Sequence, residues 1–167
     1  MALQASYSKK VFQFDFKART SRGSMDDKTS WFVRFWDDAR PDCYGIGECG
    51  PLPGLSPDAT PEFEHVLSNV VKNISLQKFS LANGSIAPNV LRFQDLIPAH
   101  YPSITFGIET AWLDLMHGGK RIIFQNDFVK GSSIPINGLI WMGDSDFMMT
   151  QIKEKLAQGY RCLKLKV

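Results

Sequence analysis

The segment Gly159-Tyr160-Arg161-Cys162-Leu163-Lys164-Leu165-Lys166-Val167 restricts the fold more than any other part of the chain. Its period-two alternation predicts a strand with Leu163, Leu165 and Val167 on one face and Cys162, Lys164 and Lys166 on the other. An apolar run, Ile134 to Trp141, and a helix-length segment, Asp144 to Gln158, precede it. The three segments predict strand, helix and strand, the right-handed crossover that joins parallel neighbours. Parallel strands are generally covered on both faces, and burying an unpaired ammonium costs several kcal/mol. Lysines on such a strand therefore need a chemical purpose, unless the strand is an edge whose lysines face water and discourage pairing. Both alternatives stand on spacing alone.

Of the 167 residues, 44% are hydrophobic and 22% charged, a globular balance that excludes disordered and low-complexity classes. A formal charge of +2 with acids and bases interspersed offers no basic stripe, so no nucleic-acid partner is expected. Residues 1–10 have no apolar leader core, and no run approaches the roughly 18 apolar residues of a membrane span. A soluble cytoplasmic protein with no membrane partner is expected. Cys43, Cys49 and Cys162 are odd in number and lack metal-ligand spacing, which fits a reducing compartment. His65, His100 and His117 lie far apart and suit structural roles.

Strict alternation from Phe12 to Arg19 predicts a half-buried strand, followed by a polar loop from Thr20 to Thr29. Ser30–Asp37 and Tyr44–Cys49 add two strand-like runs around a turn at Asp38-Ala39-Arg40-Pro41-Asp42, giving a small antiparallel sheet. Gly45-Ile46-Gly47-Glu48-Cys49-Gly50 matches G-x-G-x-x-G, but a dinucleotide site needs the last glycine to open a helix. Pro51-Leu52-Pro53-Gly54 follows instead and favours a rigid loop, Gly50 to Ser56, able to lie over a ligand.

Thr60 as N-cap, Pro61 at the first helical position and Phe63, Val66, Leu67, Val70, Val71 and Ile74 at helical spacing predict an amphipathic helix. A turn at Asn83-Gly84-Ser85 and a short helix from Asn89 to Leu96 come next. Ser103 is placed to cap a longer helix with the stripe Ile104, Ile108, Ala111, Trp112 and Leu115, closed by Gly118-Gly119. Glu109 and Asp114 on it are five apart and point in different directions, so structural roles suit them better than paired acid/base work. After a connector, Lys120 to Gly131, the pattern changes from a sheet followed by helices to alternating strand and helix. The later helix has Met149, Ile152 and Leu156 on one face and Gly159 at its stop. The expected organisation is thus an α+β domain at 1–131 and the start of an α/β domain at 132–167, too short to close a sheet or barrel. The chain is accordingly expected to belong to a longer polypeptide or to be stabilised by another chain.

Five strings, spread in order over nearly the whole chain, carry a family resemblance: Thr20-Ser21-Arg22-Gly23, Gly47 to Ser56, Phe106 to Leu115, Pro135 to Gly143 and Lys164-Leu165-Lys166. With them the chain resembles the enolase superfamily, in which an α+β capping domain closes over a barrel of parallel strands and helices. The resemblance implies a capping domain, a three-stranded antiparallel sheet followed by helices, joined to the first strand-helix-strand of an incomplete (β/α)-barrel. One departure is Gly50, where the family often has Ser after Glu-Cys.

The resemblance also implies a chemistry. The second lysine of Lys-x-Lys, Lys166, abstracts a proton α to a carboxylate, and Mg²⁺ held by acidic residues beyond residue 167 stabilises the enediolate. A carbon acid needs a cation for the developing charge, and superfamily sites pair a lysine or histidine base with magnesium. A neighbouring ammonium on Lys164 and the divalent ion both disfavour charge on Lys166, as a base requires. Lys164 also bonds the substrate carboxylate. Substrate-binding roles fall to Thr20, Ser21, Arg22 and Gly23 and to Leu52, Pro53, Gly54, Leu55 and Ser56. No metal ligand is assigned within the chain. The implied partner is a small-molecule carboxylate, and a homo-oligomer is open. A dehydratase is the leading expectation, and a racemase or dipeptide epimerase of the superfamily or a non-catalytic cap-like binding module are the alternatives.

Overall fold

A computed structural model describes residues 2–20, 23–76 and 93–166, with side chains undescribed at 16–20. The described residues form two sheets: a three-stranded one in the order β1 (Leu3–Thr20), β2 (Gly23–Asp37), β3 (Arg40–Cys49), and a two-stranded one of β4 (Gly138–Ile140) and β5 (Leu163–Leu165). Helix α1 spans Phe63–Leu76, α2 Pro102–Met116 and α3 Ser145–Ala157. The order is an antiparallel sheet followed by helices, then strand, helix and strand. Two compact units result: Met1–Phe12 with Thr29–Gln125, and Gln13–Lys28 with Asn126–Val167.

In the first unit the sheet's inner face is built from unequal strands. β2 pairs antiparallel to β3 with Trp31 opposite Cys49, Val33 opposite Gly47 and Phe35 opposite Gly45. Large residues on β2 thus face small ones on β3, which leaves a trough over β3 for α2. A Cβ on Gly47 would stand 1.8 Å from the Gly107 carbonyl oxygen, and one on Gly45 2.0 Å from that of Ala111. The glycines of the G-x-G-x-x-G string therefore serve a close strand–helix approach, and no helix opens at Gly50. Ile104, Ile108, Ala111, Trp112 and Leu115 are buried, as their spacing predicts, beside the α1 stripe Phe63, Leu67, Val70, Val71 and Ile74. Trp31 stacks tilted on Phe63 at 4.7 Å, and Trp112 meets Phe93 edge-on at 5.4 Å.

Several local expectations are corrected. The first strand begins at Leu3, and its packed residues are Leu3, Ala5 and Tyr7, whereas Phe12 and Phe14 are exposed. The expected polar loop from Thr20 to Thr29 is largely strand, because β2 begins at Gly23; pairing between neighbours sustains a ladder even where the side chains are wet. The turn after Asp37 is only Asp38-Ala39. Thr60 does not cap α1: its hydroxyl is buried without a hydrogen-bond partner, and the helix begins at Phe63. Ser103 is not a cap either. Tyr101 holds that position, and Asp58, from the segment between β3 and α1, accepts from the Ser103 amide, one of the free helical donors. The turn at 83–85 and most of the 89–96 segment lie outside the described residues.

In the second unit β4 and β5 pair in parallel, Gly138 to Leu163, Leu139 to Lys164 and Ile140 to Leu165. Asp144 caps α3 by accepting from the Phe147 amide at 2.8 Å, and Gly159 ends it at φ 88°. The strand predicted from Ile134 to Trp141 is only Gly138–Ile140, with Ile134 and Ile136 exposed. The helix face also differs: Met149 and Leu156 are exposed, whereas Met148, Gln151, Ile152 and Lys155 are partly covered. Gln151 explains the rotation, since its Oε1 accepts from the Trp141 amide at 2.9 Å while its Nε2 donates to the Trp141 carbonyl at 3.1 Å.

Candidate functional site

Lys164 sits in β5 opposite Leu139, and Lys166 lies just beyond the strand, its amide donating to the Ile140 carbonyl at 3.0 Å. Residues two apart on an extended chain share a face, so both lysines project to one side at the C-terminal end of the parallel pair. In barrels of parallel strands that end carries the chemistry. Lys164 is exposed and Lys166 half-buried. A shallow cleft of about 300 Å³, lined by Pro135, Ile136, Gln158, Gly159, Tyr160 and Arg161, lies at the opposite, N-terminal end of β4 and β5. It is remote from the lysines in register, and its lining carries no carboxylate.

Thr20 and Gly23 flank the tip between β1 and β2, with Gly23 at φ 129°; Ser21 and Arg22 lie outside the described residues. This tip belongs to the same compact unit as the lysine strand.

The loop Leu52–Ser56 belongs to the other unit and is closed on itself. The Leu55 and Ser56 amides donate to the Leu52 carbonyl at 3.0 and 2.8 Å, and the Leu52 amide donates to Ser56 Oγ at 2.9 Å. Gly54 holds φ 73°, a left-handed conformation that glycine adopts without steric cost. Pro53, Gly54 and Leu55 are exposed at its crest. Rigidity here comes from three hydrogen bonds in addition to the two prolines visible in the sequence.

Two carboxylates not singled out by the sequence bracket this loop. Before it, Ser30 Oγ donates to Glu48 Oε1 at 2.6 Å. After it, buried Asp58 accepts from the Ser103 amide at 2.7 Å and from Ser103 Oγ at 3.0 Å. Cys49 lies between them, fully buried, and its thiol is pushed up to about 12, first by burial and then by the Asp58 and Glu48 charges. It is a packing residue, not a nucleophile. Asp114, the buried carboxylate of α2, accepts from the Ile46 amide at 2.9 Å and the Arg121 amide at 2.7 Å and pairs with the Arg121 guanidinium. Glu109 accepts from Gln94 at 3.0 Å. Both acids are structural, as their spacing predicts.

Among the described residues no group of three His, Cys, Asp or Glu side chains gathers to hold a metal ion, and no helix is long and apolar enough to cross a membrane.

No protein-family model matches the chain. It is 36% identical to o-succinylbenzoate synthase of Desulfotalea psychrophila over 184 aligned positions, covering 99% of the chain and 49% of that enzyme. The crystal structure of MenC from Desulfotalea psychrophila superposes with a TM-score of 0.73 at 32% identity, over 99% of this chain and 49% of that one. A dipeptide epimerase from Enterococcus faecalis, crystallised with Mg and the dipeptide L-Leu-L-Tyr, superposes with a TM-score of 0.74 at 18% identity, over 100% of this chain and 46% of that one. The last likeness is one of fold alone. The chain spans about half the length of the relatives it matches.

Proposed function

The chain matches the capping domain and barrel start of o-succinylbenzoate synthase, a member of the enolase superfamily, and on that premise we propose that it serves the same dehydration in menaquinone biosynthesis. The supporting observation is 36% identity over 99% of the chain, with Lys164 and Lys166 sharing a face at the C-terminal end of parallel strands. In this proposal residues 1–131 form the cap, residues 132–167 open the barrel, and the protein works in the cytoplasm. The substrate is a small carboxylate, 2-succinyl-6-hydroxy-2,4-cyclohexadiene-1-carboxylate.

Lys166 Nζ takes the proton α to the carboxylate; the ring C–O bond then breaks, and Lys166 returns the proton to the departing hydroxyl, which leaves as water. Lys164 donates to the substrate carboxylate, and its fixed charge disfavours the ammonium form of its neighbour. The tip Thr20–Gly23 and the loop Leu52–Ser56 cover the substrate. Mg²⁺, which accompanies the relative from Enterococcus faecalis, supplies charge stabilisation when bound. Its ligands are assigned to later barrel strands, and no step is routed through it in this chain.

The test is incubation of the full-length protein in D₂O with the cyclohexadiene carboxylate and, separately, with chiral N-succinylamino acids. Loss of water from the first without α-deuteration of the second is expected. Deuterium at the α carbon without loss of water would instead make the protein a racemase or epimerase.

A further inference from the structure

Two hydrogen-bonded carboxylates flank the loop above β3, Glu48 half-buried before it and Asp58 buried after it. Asp58 is 1% exposed, and Ser103, which gives it two hydrogen bonds, lies in the first turn of α2. An anion at a helix N-terminus is favoured by the free amides and the helix dipole together, so the contact is directional as well as charged. Glu48 at the other end is tied to Ser30, whose residue is fully buried in β2. Between them Cys49 is wedged against α2: a Cβ on Gly107 would meet its Sγ at 2.3 Å. The segment thus runs from one anchored carboxylate to another. Its crest, Pro53-Gly54-Leu55, is the exposed part, and its internal bonds close on Leu52 and Ser56.

We propose that Asp58 and Glu48 are positioning residues that hold the loop Gly50–Pro57 as a pre-ordered wall for the substrate, so that it binds without first ordering the loop. This rests on the reading that Leu52–Ser56 faces the substrate. A pre-ordered wall cuts the conformational cost of association, and loosening it weakens binding more than it slows the chemical step. Asp58 and Glu48 act through the loop and touch no reacting atom.

The test uses the full-length protein with Asp58→Ala, Asp58→Asn, Ser103→Ala and Glu48→Ala, read by amide hydrogen exchange and by steady-state kinetics on the cyclohexadiene carboxylate. With Asp58→Ala, exchange at the Leu55 and Ser56 amides should quicken about tenfold or more, while Val33 and Phe35 in β2 keep their protection. KM should rise about tenfold with kcat within about twofold. Asp58→Asn, which retains an acceptor for the Ser103 amide, should recover part of the loss, and Glu48→Ala, which removes the acceptor for Ser30 Oγ, should loosen the loop from its other end. If Asp58→Ala does not fold, Ser103→Ala carries the test, with a change of about threefold in the same direction. Unchanged exchange at Leu55 and Ser56, or equal acceleration throughout the first unit, would overturn the proposal. So would a fall in kcat at constant KM. Should the wild-type protein show no dehydration at all, the assigned reaction fails, while the exchange measurement still decides whether the carboxylates order the loop.

Discussion

The two compact units use the same local devices, yet only one has a deep core. In the first, Phe35, Trp112 and Ile108 are completely buried, and strand and helix approach so closely that glycine is required on both. In the second, α3 has a side-chain cap at Asp144 and a glycine stop at Gly159, but none of its residues is buried. Ile136 is 70% exposed and Leu165 46%. Caps and stops therefore specify that a helix exists and where it ends, whereas the face it buries is set by what it packs against.

The largest expected difference between the units is at their glycines. Gly47→Ala drives a methyl into the backbone of α2 and should destabilise the protein by about 3 kcal/mol or more, with Tm falling by roughly 10 °C. Gly138→Ala meets only side-chain carbons, at 3.0 Å for Leu163 Cδ2 and 3.1 Å for Tyr160 Cγ. With these and Lys155 Cβ at 3.2 Å, the neighbours need give by only a few tenths of an ångström, so the cost should be about 1 kcal/mol or less. Thermal unfolding of both variants checks the pair. Equal losses would mean that the two units are packed alike.

A smaller effect separates the cysteines. Cys49 has its thiol raised from about 9 to about 12, whereas Cys162 is exposed. Between those values the folded state keeps a proton on Cys49 that the unfolded chain releases, so stability falls as pH rises, by up to about 1.4 kcal/mol per pH unit. Below about 9 that contribution is fully present. Denaturant titrations from pH 8 to 11 should show a slope that Cys49→Ala removes. Iodoacetamide at pH 8 should modify Cys162 and spare Cys49 until the protein unfolds. Equal labelling of the two in the native protein would contradict the contrast.

The sequence made some of this legible for clear physical reasons. Ile104, Ile108, Ala111, Trp112 and Leu115 could be placed inward because helical periodicity reports directly on a one-sided core. The parallel pairing of the two late strands followed from an apolar run, a helix-length segment and a second run in succession, whereas the register of Gly138 opposite Leu163 did not. Phe12 and Phe14 misled because alternation reports a strand and not which face is covered; Leu3, Ala5 and Tyr7 show the same alternation more faintly and are the packed ones. Gln151 was hidden because it turns its helix by satisfying the backbone of Trp141, a polar contact that hydrophobic periodicity does not register. Asp58 and Ser103 are 45 positions apart, and no local pattern joins a loop aspartate to the helix it anchors. The Lys-x-Lys pair was conspicuous because two charges recur on one face of an otherwise apolar strand, but spacing alone does not distinguish a solvent edge from a base.

That distinction is the central claim, and one substitution addresses it most directly. Lys166→Arg retains the positive charge and the length of the side chain but cannot shed a proton near neutral pH. In the full-length protein it should leave the circular dichroism spectrum and Tm unchanged and lower kcat for dehydration of the cyclohexadiene carboxylate by about 10³-fold or more. Turnover within about tenfold of wild type, in a folded Lys166→Arg protein, would contradict the assignment of Lys166 as the base and return the strand to a solvent-facing edge.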